Sequence, residues 1–196
     1  MLRYFIIYKP FQVLSQFTST EGKRSLADYF KVPADVYPVG RLDYDSEGLL
    51  LLTNDKAVNH RLLHPAFAHE REYWVQVEGS ITSEAIRQLS SGVSIMIDGK
   101  EHRTKPARAI RFDQEPNVPV RNPPIRFRQN IPTSWISLSL TEGKNRQVRR
   151  MTAKTGFPTL RLIRYRIGSL TIDHLQPGEM QELNRNSFCK GVGIQL

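Results

Sequence analysis

The hydrophobic positions of this chain change period along its length, and one run organises the rest. Leu49, Leu50, Leu51 and Leu52 form an unbroken apolar stretch between Gly48 and Asn54. It is too short for a helix and has no polar alternate face, so it predicts a strand buried on both sides. Turn-forming residues crowd in front of it: Pro38, Gly40, Asp43, Asp45 and Gly48. The pattern therefore predicts a carboxylate on an exposed turn at the mouth of a rigid core element, a suitable place for a group that must not wander.

The other elements follow from the same patterning. Residues 4–8 are a β-rich run that stops at Lys9-Pro10, where proline ends the pairing and leaves the lysine near a turn; 13–17 is predicted to resume the strand. Ser25 opens a short helical pattern with Leu26, Tyr29 and Phe30 on one face, Pro33 ends it, and 36–39 leads into the central turn. Asn54 or Asp55 can cap a helix that presents Val58, Leu62 and Leu63 to the core until Pro65. Residues 72–78 alternate, with Tyr73, Val75 and Val77 on one face and Trp74 on the other. Thr82, Ala85, Ile86 and Leu89 mark an amphipathic helix closed by Gly92.

Residues 93–97 then turn at Asp98-Gly99, a hairpin signal, with a returning strand expected to reach Phe112. The stretch 113–132 is rich in proline and arginine and has no period, so it is a loop, and a long loop in a compact domain is more often functional than idle. Beyond it come a strand at 135–140, a helix at 145–155 closed by Gly156 and Pro158, and strands at 160–167, 170–172 and 180–183. Strands joined by both hairpins and helices define an α+β fold with a mixed, mainly antiparallel sheet.

Composition narrows the class. A chain of 196 residues, 39% hydrophobic, can bury a full core as one domain, or one domain in two lobes. No run approaches the roughly 18 apolar residues of a membrane helix, and no secretory-type segment opens the sequence, so a soluble, cytoplasmic protein without a membrane partner is expected. The single cysteine, Cys189, cannot form an internal disulfide. Charge is more informative. The chain carries a net +9, and between Arg103 and Arg166 there are fifteen Lys and Arg against three acids, Asp113, Glu115 and Glu142, so the remainder is net acidic. Basicity concentrated in this way, among aromatics and glycine turns, points to a polyanion partner, RNA or DNA, whose phosphates it would neutralise.

The central stretch GRLDYDSEGLLLLTND resembles the catalytic signature of the RNA pseudouridine synthases, in their RsuA branch. YFIIYKPFQVLSQF, REYWVQVEG, RNPPIRFR with IPTSW, and TEGKNRQVRRMTAKTGFPTLRLIRYRIG extend the likeness over nearly the whole chain, toward the subfamily acting on a uridine of large-subunit (23S) ribosomal RNA. The resemblance implies the pseudouridine synthase fold: a bent, mixed sheet with flanking helices and a catalytic cleft between two lobes. It also implies an isomerisation that needs no metal and no cofactor. The small RNA-binding domain of S4 type that precedes the catalytic unit in many relatives is not expected here, since the catalytic pattern starts almost at Met1.

A lone ionised carboxylate on a rigid turn can attack an electrophilic carbon or remove a proton, and Asp43 is the candidate. The resemblance makes it the catalytic aspartate that enables breakage of the uridine glycosidic bond. Tyr73, a core aromatic by its strand position, is by resemblance the tyrosine that packs on the flipped base. Arg149 is by resemblance the cation that pairs with Asp43. If 145–155 is helical throughout, Arg146, Arg149 and Arg150 share one face at i, i+3 and i+4, and Arg146 and Arg150 read as phosphate contacts.

Arg41 is placed to fill the stack that an extruded uridine vacates. Leu42 and Lys9, with Leu162, Arg164, Ile167 and Gly168 of the last motif, complete the expected substrate-binding set, with plain strand packing as the alternative for those last four. Asp45 and Glu47 raise a magnesium site but serve equally as turn and cap residues. His60 and His64 have zinc spacing, but Arg61 stands where a zincin carries glutamate, so a solvated or capping pair is the simpler reading. Two functions remain open at this point: an rRNA-modifying isomerase acting as a monomer, or a noncatalytic RNA-binding ribosome-assembly factor. A nuclease is weaker, since neither a histidine pair nor a metal cluster accompanies the basic region.

Overall fold

A computed structural model describes residues 1–125 and 129–195; the end of the RNPPIRFR motif and part of the 113–132 loop, residues 126–128, lie outside the described residues. In chain order the elements are β1 (Tyr4–Lys9), β2 (Tyr37–Pro38), β3 (Glu47–Thr53), α1 (Lys56–Leu63), β4 (Arg71–Glu78), α2 (Ser83–Ser91), β5 (Ser94–Ile97), β6 (Lys100–Arg103), β7 (Arg108–Arg111), β8 (Thr133–Leu140), α3 (Gln147–Lys154), β9 (Thr159–Ile167), β10 (Leu170–Thr171), β11 (Met180–Leu183) and α4 (Arg185–Gly191). They form an α+β fold whose strands pair mostly antiparallel. The chain makes two compact units, Met1–His69 with Ile163–Leu196, and Glu70–Leu162.

In the first unit β3 is the central strand. All seven of its residues are buried, because β1 pairs antiparallel along one edge and the second half of β9 pairs parallel at the other, with Glu47 opposite Ile163 and Gly48 opposite Arg164. Each fully buried leucine of the run contributes roughly 1.5–3 kcal/mol. β11 extends β1 outward, and β2 pairs with the end of β3. At Gly48 a side chain is impossible: φ is +105°, and a Cβ would lie 2.4 Å from the Arg164 carbonyl oxygen.

α1 begins at Asp55, whose carboxylate accepts from the N–H groups of Ala57 and Val58 at 3.0 and 3.2 Å. Its Val58 and Leu62 are buried as expected, whereas Leu63 is 48% exposed, since the helix ends there and turns it outward. Helix α4 carries no sequence signal strong enough to predict it. Asn184 caps it, and Phe188 and Cys189 are fully buried, with Phe188 5.2 Å from the Tyr4 ring. Residues 13–17 do not resume a strand; a single bridge from Leu14 to Ser25 stands there, and Leu26–Asp28 is one 3₁₀ turn.

In the second unit β8 lies between β4 and β7, antiparallel to both. The alternation of β4 sends Val75 and Val77 into a core with Leu89 of α2, Ile136 and Leu138 of β8, Met151 of α3 and Leu162, with Tyr73 packed at its margin. On the other face Trp74 meets Phe112 edge-on at 5.3 Å and donates to Glu72 at 3.0 Å. The strand returning from Asp98-Gly99 stops at Arg103 rather than running to Phe112. Thr104 turns it: its hydroxyl accepts from Val93 N–H at 2.9 Å, and Pro106 then has no N–H to pair. The chain re-forms as β7, on β8. Among the described residues no helix is long and apolar enough to cross a membrane.

Candidate active site

The first unit carries Asp43, and its position is fixed through its neighbours. The loop after β1 twice reaches the turn that carries Asp43. The Gln12 N–H donates to the Tyr44 carbonyl at 2.9 Å, and the Ser15 hydroxyl donates to the Leu42 carbonyl at 2.8 Å while accepting the Leu42 N–H at 3.0 Å. Residues 42 and 44 flank Asp43, so the backbone is gripped on both sides of the carboxylate. A third bond, from Ser46 N–H to the Asp43 carbonyl at 3.0 Å, closes the turn before β3 starts. Asp43 itself is half-buried, and Arg41 beside it is exposed.

Lys9 departs from expectation. Its side chain is fully buried, with the amine donating to the carbonyls of Pro10 at 2.9 Å and Val13 at 2.7 Å. It does not face RNA, because the chain folds back over it after Pro10. Burial pushes its pKa down to about 7; Glu47, Asp45 and Asp43 pull it up and Arg164 pushes it down. Leu42 is also buried, with only its backbone on the turn.

The described contacts of the last motif are packing contacts, the alternative expected for it. Arg164 is buried and its Nε donates to the Leu49 carbonyl at 2.7 Å, stitching β9 to β3. Ile167 is buried, and Leu162 belongs to the core of the second unit. Gly168 abuts the end of α4, where a Cβ would sit 2.4 Å from the Gly191 carbonyl oxygen. Close packing accounts for these residues in a strand whose positions 161–164 are all buried. His60 and His64 lie with ring centroids 5.4 Å apart, and His64 Nδ1 accepts from Ala66 N–H at 3.3 Å, a capping role.

The second unit carries Tyr73 and Arg149, both half-buried, Tyr73 on β4 opposite Leu138 and Arg149 on the first turn of α3. The helix starts later than its periodicity predicts. Arg146 is its N-cap in a left-handed conformation, φ +49°, so the expected shared face of Arg146, Arg149 and Arg150 is broken at its first member. Gln147 sets this start: its side chain accepts from Lys144 N–H at 2.9 Å and donates to Glu142 at 2.7 Å. Glu142 also accepts from Lys105 N–H at 2.8 Å and pairs with His102 at 3.2 Å. Burial raises the Glu142 carboxyl, but these bonds more than offset it and hold it below the usual carboxylate range.

Arg150 donates to the Met96 carbonyl and to Asn145, bracing α3 against β5, so those donors are engaged by protein rather than phosphate. Arg146 is exposed. Ser15, Glu142 and Gln147 were not singled out by sequence patterning. Only the Lys144–Gln147 spacing, a reach back over a helix start, hints at one of them.

Two units of α+β structure, one presenting a carboxylate gripped on both flanks and the other a tyrosine and a basic helix, match a known class. A model of the RNA pseudouridylate synthase family matches residues 3–154. A solved pseudouridylate synthase structure superposes with a TM-score of 0.78 at 25% identity, covering 98% of this chain and 74% of that one.

The chain belongs to the RNA pseudouridylate synthase family and is an isomerase of that class. It is 49% identical over 179 residues to the ribosomal large subunit pseudouridine synthase E of Vibrio vulnificus, covering 91% of this chain and 74% of that relative. It is 48% identical over 176 residues to the protein of that name from Xanthomonas campestris, covering 89% and 91%.

Proposed function

We propose that this enzyme converts a specific uridine of large-subunit (23S) ribosomal RNA to pseudouridine, with Asp43 as the catalytic carboxylate. The observation that carries the reading is the double grip on residues 42 and 44, which presents one carboxylate in a fixed place at the entry to the most deeply buried strand of its unit. The names borne by the relatives, about half identical over nine-tenths of the chain, support the choice of RNA.

The reaction balances within the substrate. The glycosidic carbon–nitrogen bond breaks, the base turns, and its C5 joins the sugar carbon; the C5 proton leaves and N1 gains one. Asp43 enables the bond breakage. By family likeness Tyr73 packs on the extruded base and takes part in loss of the C5 proton, and Arg149 is the basic residue of the catalytic set. Arg41, exposed beside Asp43 and without a hydrogen bond to another described residue, fills the gap that the uridine leaves in the RNA. The exposed Lys105, Arg108, Arg111, Lys144 and Arg146 of the second unit meet the backbone phosphates.

Such a substrate places the enzyme in the cytoplasm, and a monomer suffices for the chemistry. Comparing pseudouridine maps of large-subunit RNA from cells with and without the protein tests the reading. Loss of one modified position supports it and identifies the uridine; an unchanged map contradicts it.

A further inference from the structure

We infer that the exposed face of α1 and the turn after it form a stacking platform, centred on Phe67, for RNA bases that flank the target uridine. Lys56, His60, Leu63 and the C-cap His64 fall at i, i+4, i+7 and i+8, one stripe of the helix. All four are exposed, while Val58 and Leu62 on the opposite side are buried. Past Pro65 the chain turns at Ala68, whose φ is +46°, and Phe67 stands out at 51% exposure.

The rings of this surface form a connected series. His60 and His64 lie 5.4 Å apart, His64 meets Phe67 edge-on at 5.8 Å, and Phe67 stacks on His69 at 6.3 Å with planes 28° apart. The far end is fixed, because the two ring nitrogens of His69 face the carbonyls of Val192 at 3.0 Å and Arg61 at 3.2 Å. A phenyl ring left half in water gains nothing there by itself. It gains when a base covers it.

Two observations name the occupant. From Lys56 to His69 the chain has no acidic residue, and Asp55 just before it is buried as the α1 cap, so the surface favours a phosphate backbone. The platform also adjoins the turn of Asp43: a Cβ on Gly40 would lie 3.1 Å from Leu63 Cδ2, and Arg41 is the next residue. RNA whose vacated stack Arg41 fills therefore continues onto Leu63 and Phe67. Every residue on this path belongs to the first unit. Unpaired bases beside an extruded uridine can stack on such rings, and any base serves because each has a π face. The surface adds affinity for the strand around the target without reading its sequence.

The inference rests on the RNA-modifying reading with Asp43, and its test separates the two. RNA affinity, KM, kcat and thermal unfolding are measured with a large-subunit RNA transcript for the wild type, Phe67→Ala, Phe67→Leu, Phe67→Trp, Lys56→Gln and Asp43→Asn. Phe67→Ala is expected to weaken RNA binding and raise KM about tenfold, the effect of losing one stacked base, with kcat changed less than about twofold. Phe67→Leu, apolar but without a π face, loses as much, and Phe67→Trp restores binding. Lys56→Gln lowers the slope of log affinity against log salt by roughly 0.7.

A folded Phe67→Ala or Phe67→Leu protein that binds the transcript as the wild type does overturns the inference. If Phe67→Ala does not fold, Lys56→Gln decides, and an unchanged salt slope there overturns it. Normal behaviour of Phe67→Ala on the transcript, with a loss confined to assembling large-subunit particles, would assign the surface to a protein partner and overturn it too. An active Asp43→Asn enzyme would instead remove the catalytic reading and leave the Phe67 result standing.

Discussion

The hydroxyl of Ser15 makes two hydrogen bonds to a single residue, donating to the carbonyl of Leu42 at 2.8 Å and accepting its N–H at 3.0 Å. Both partners are nearly enclosed, at 8% and 6% exposure, so water does not readily replace the hydroxyl. Ser15→Ala therefore leaves two buried peptide groups with one partner fewer each. The expected loss is about 1–3 kcal/mol of unfolding free energy, read by urea denaturation; a change below about 0.5 kcal/mol would mean that the loop is not fastened there.

Lys9 makes stability depend on pH in an unusual direction. Its pKa is about 7 in the folded protein against an ordinary 10.5. Below pH 7 both states bind the proton and no dependence arises. Between about 7 and 10.5 the unfolded chain holds a proton that the folded chain has released, so stability rises with pH, by up to about 1.4 kcal/mol per unit and on the order of 5 kcal/mol in total. Urea denaturation of the wild type and Lys9→Met across pH 7–10 should give a difference that grows steadily in favour of the wild type. Parallel curves would contradict the burial of a titrating amine.

Asp55 works in the same sense but in the acid range. Burial alone would raise its carboxyl, but the Tyr4 hydroxyl at 2.7 Å, the N–H groups of Val58 and Ala57, and the Arg185 charge together hold it below its ordinary 3.8. Its contribution is full above that value and is lost as pH falls through the lower folded pKa. Asp55→Ala removes the α1 cap and the partner of a buried phenol, and about 2–4 kcal/mol should be lost at neutral pH. The gap between variant and wild type should narrow in acid; a constant gap down to pH 2 would show that the charge does not matter.

Much of this was legible in the sequence, for reasons that can be named. The leucine run of β3 had a single interpretation because its length, its bounding glycine and its lack of alternation agree. The cap of α1, expected at Asn54 or Asp55 and found at Asp55, is local chemistry visible without a fold. What failed depended on distant partners. The start of α3 is set by Gln147 reaching Glu142 and Lys144, so the helical period extrapolated through Arg146 broke at a left-handed residue. Lys9 is expected near a turn in the substrate-binding set, and Arg164 in the pocket-lining motif that the family resemblance supplies, with strand packing as the alternative, yet both are buried. Their partners are main-chain carbonyls brought near by the sheet, which leave no motif.

Arg41 carries a prediction about the form of the substrate. If its guanidinium replaces the extruded base, Arg41→Ala should slow turnover on folded ribosomal RNA by a further tenfold or so relative to a short unstructured RNA holding the same uridine. That ratio follows from the few kcal/mol needed to unstack a base, part of which a single-stranded substrate does not require. Equal loss on both substrates would assign Arg41 to general phosphate binding.

The central claim is that one carboxylate makes the chemistry possible. Carbodiimide mapping of large-subunit RNA treated with wild type or Asp43→Asn tests it most directly, because the substitution keeps shape and hydrogen-bonding capacity while removing the charge. The expected result is one new pseudouridine with the wild type and none with Asp43→Asn, at unchanged thermal stability and RNA affinity. A stable Asp43→Asn protein that still forms pseudouridine at that position would contradict the account.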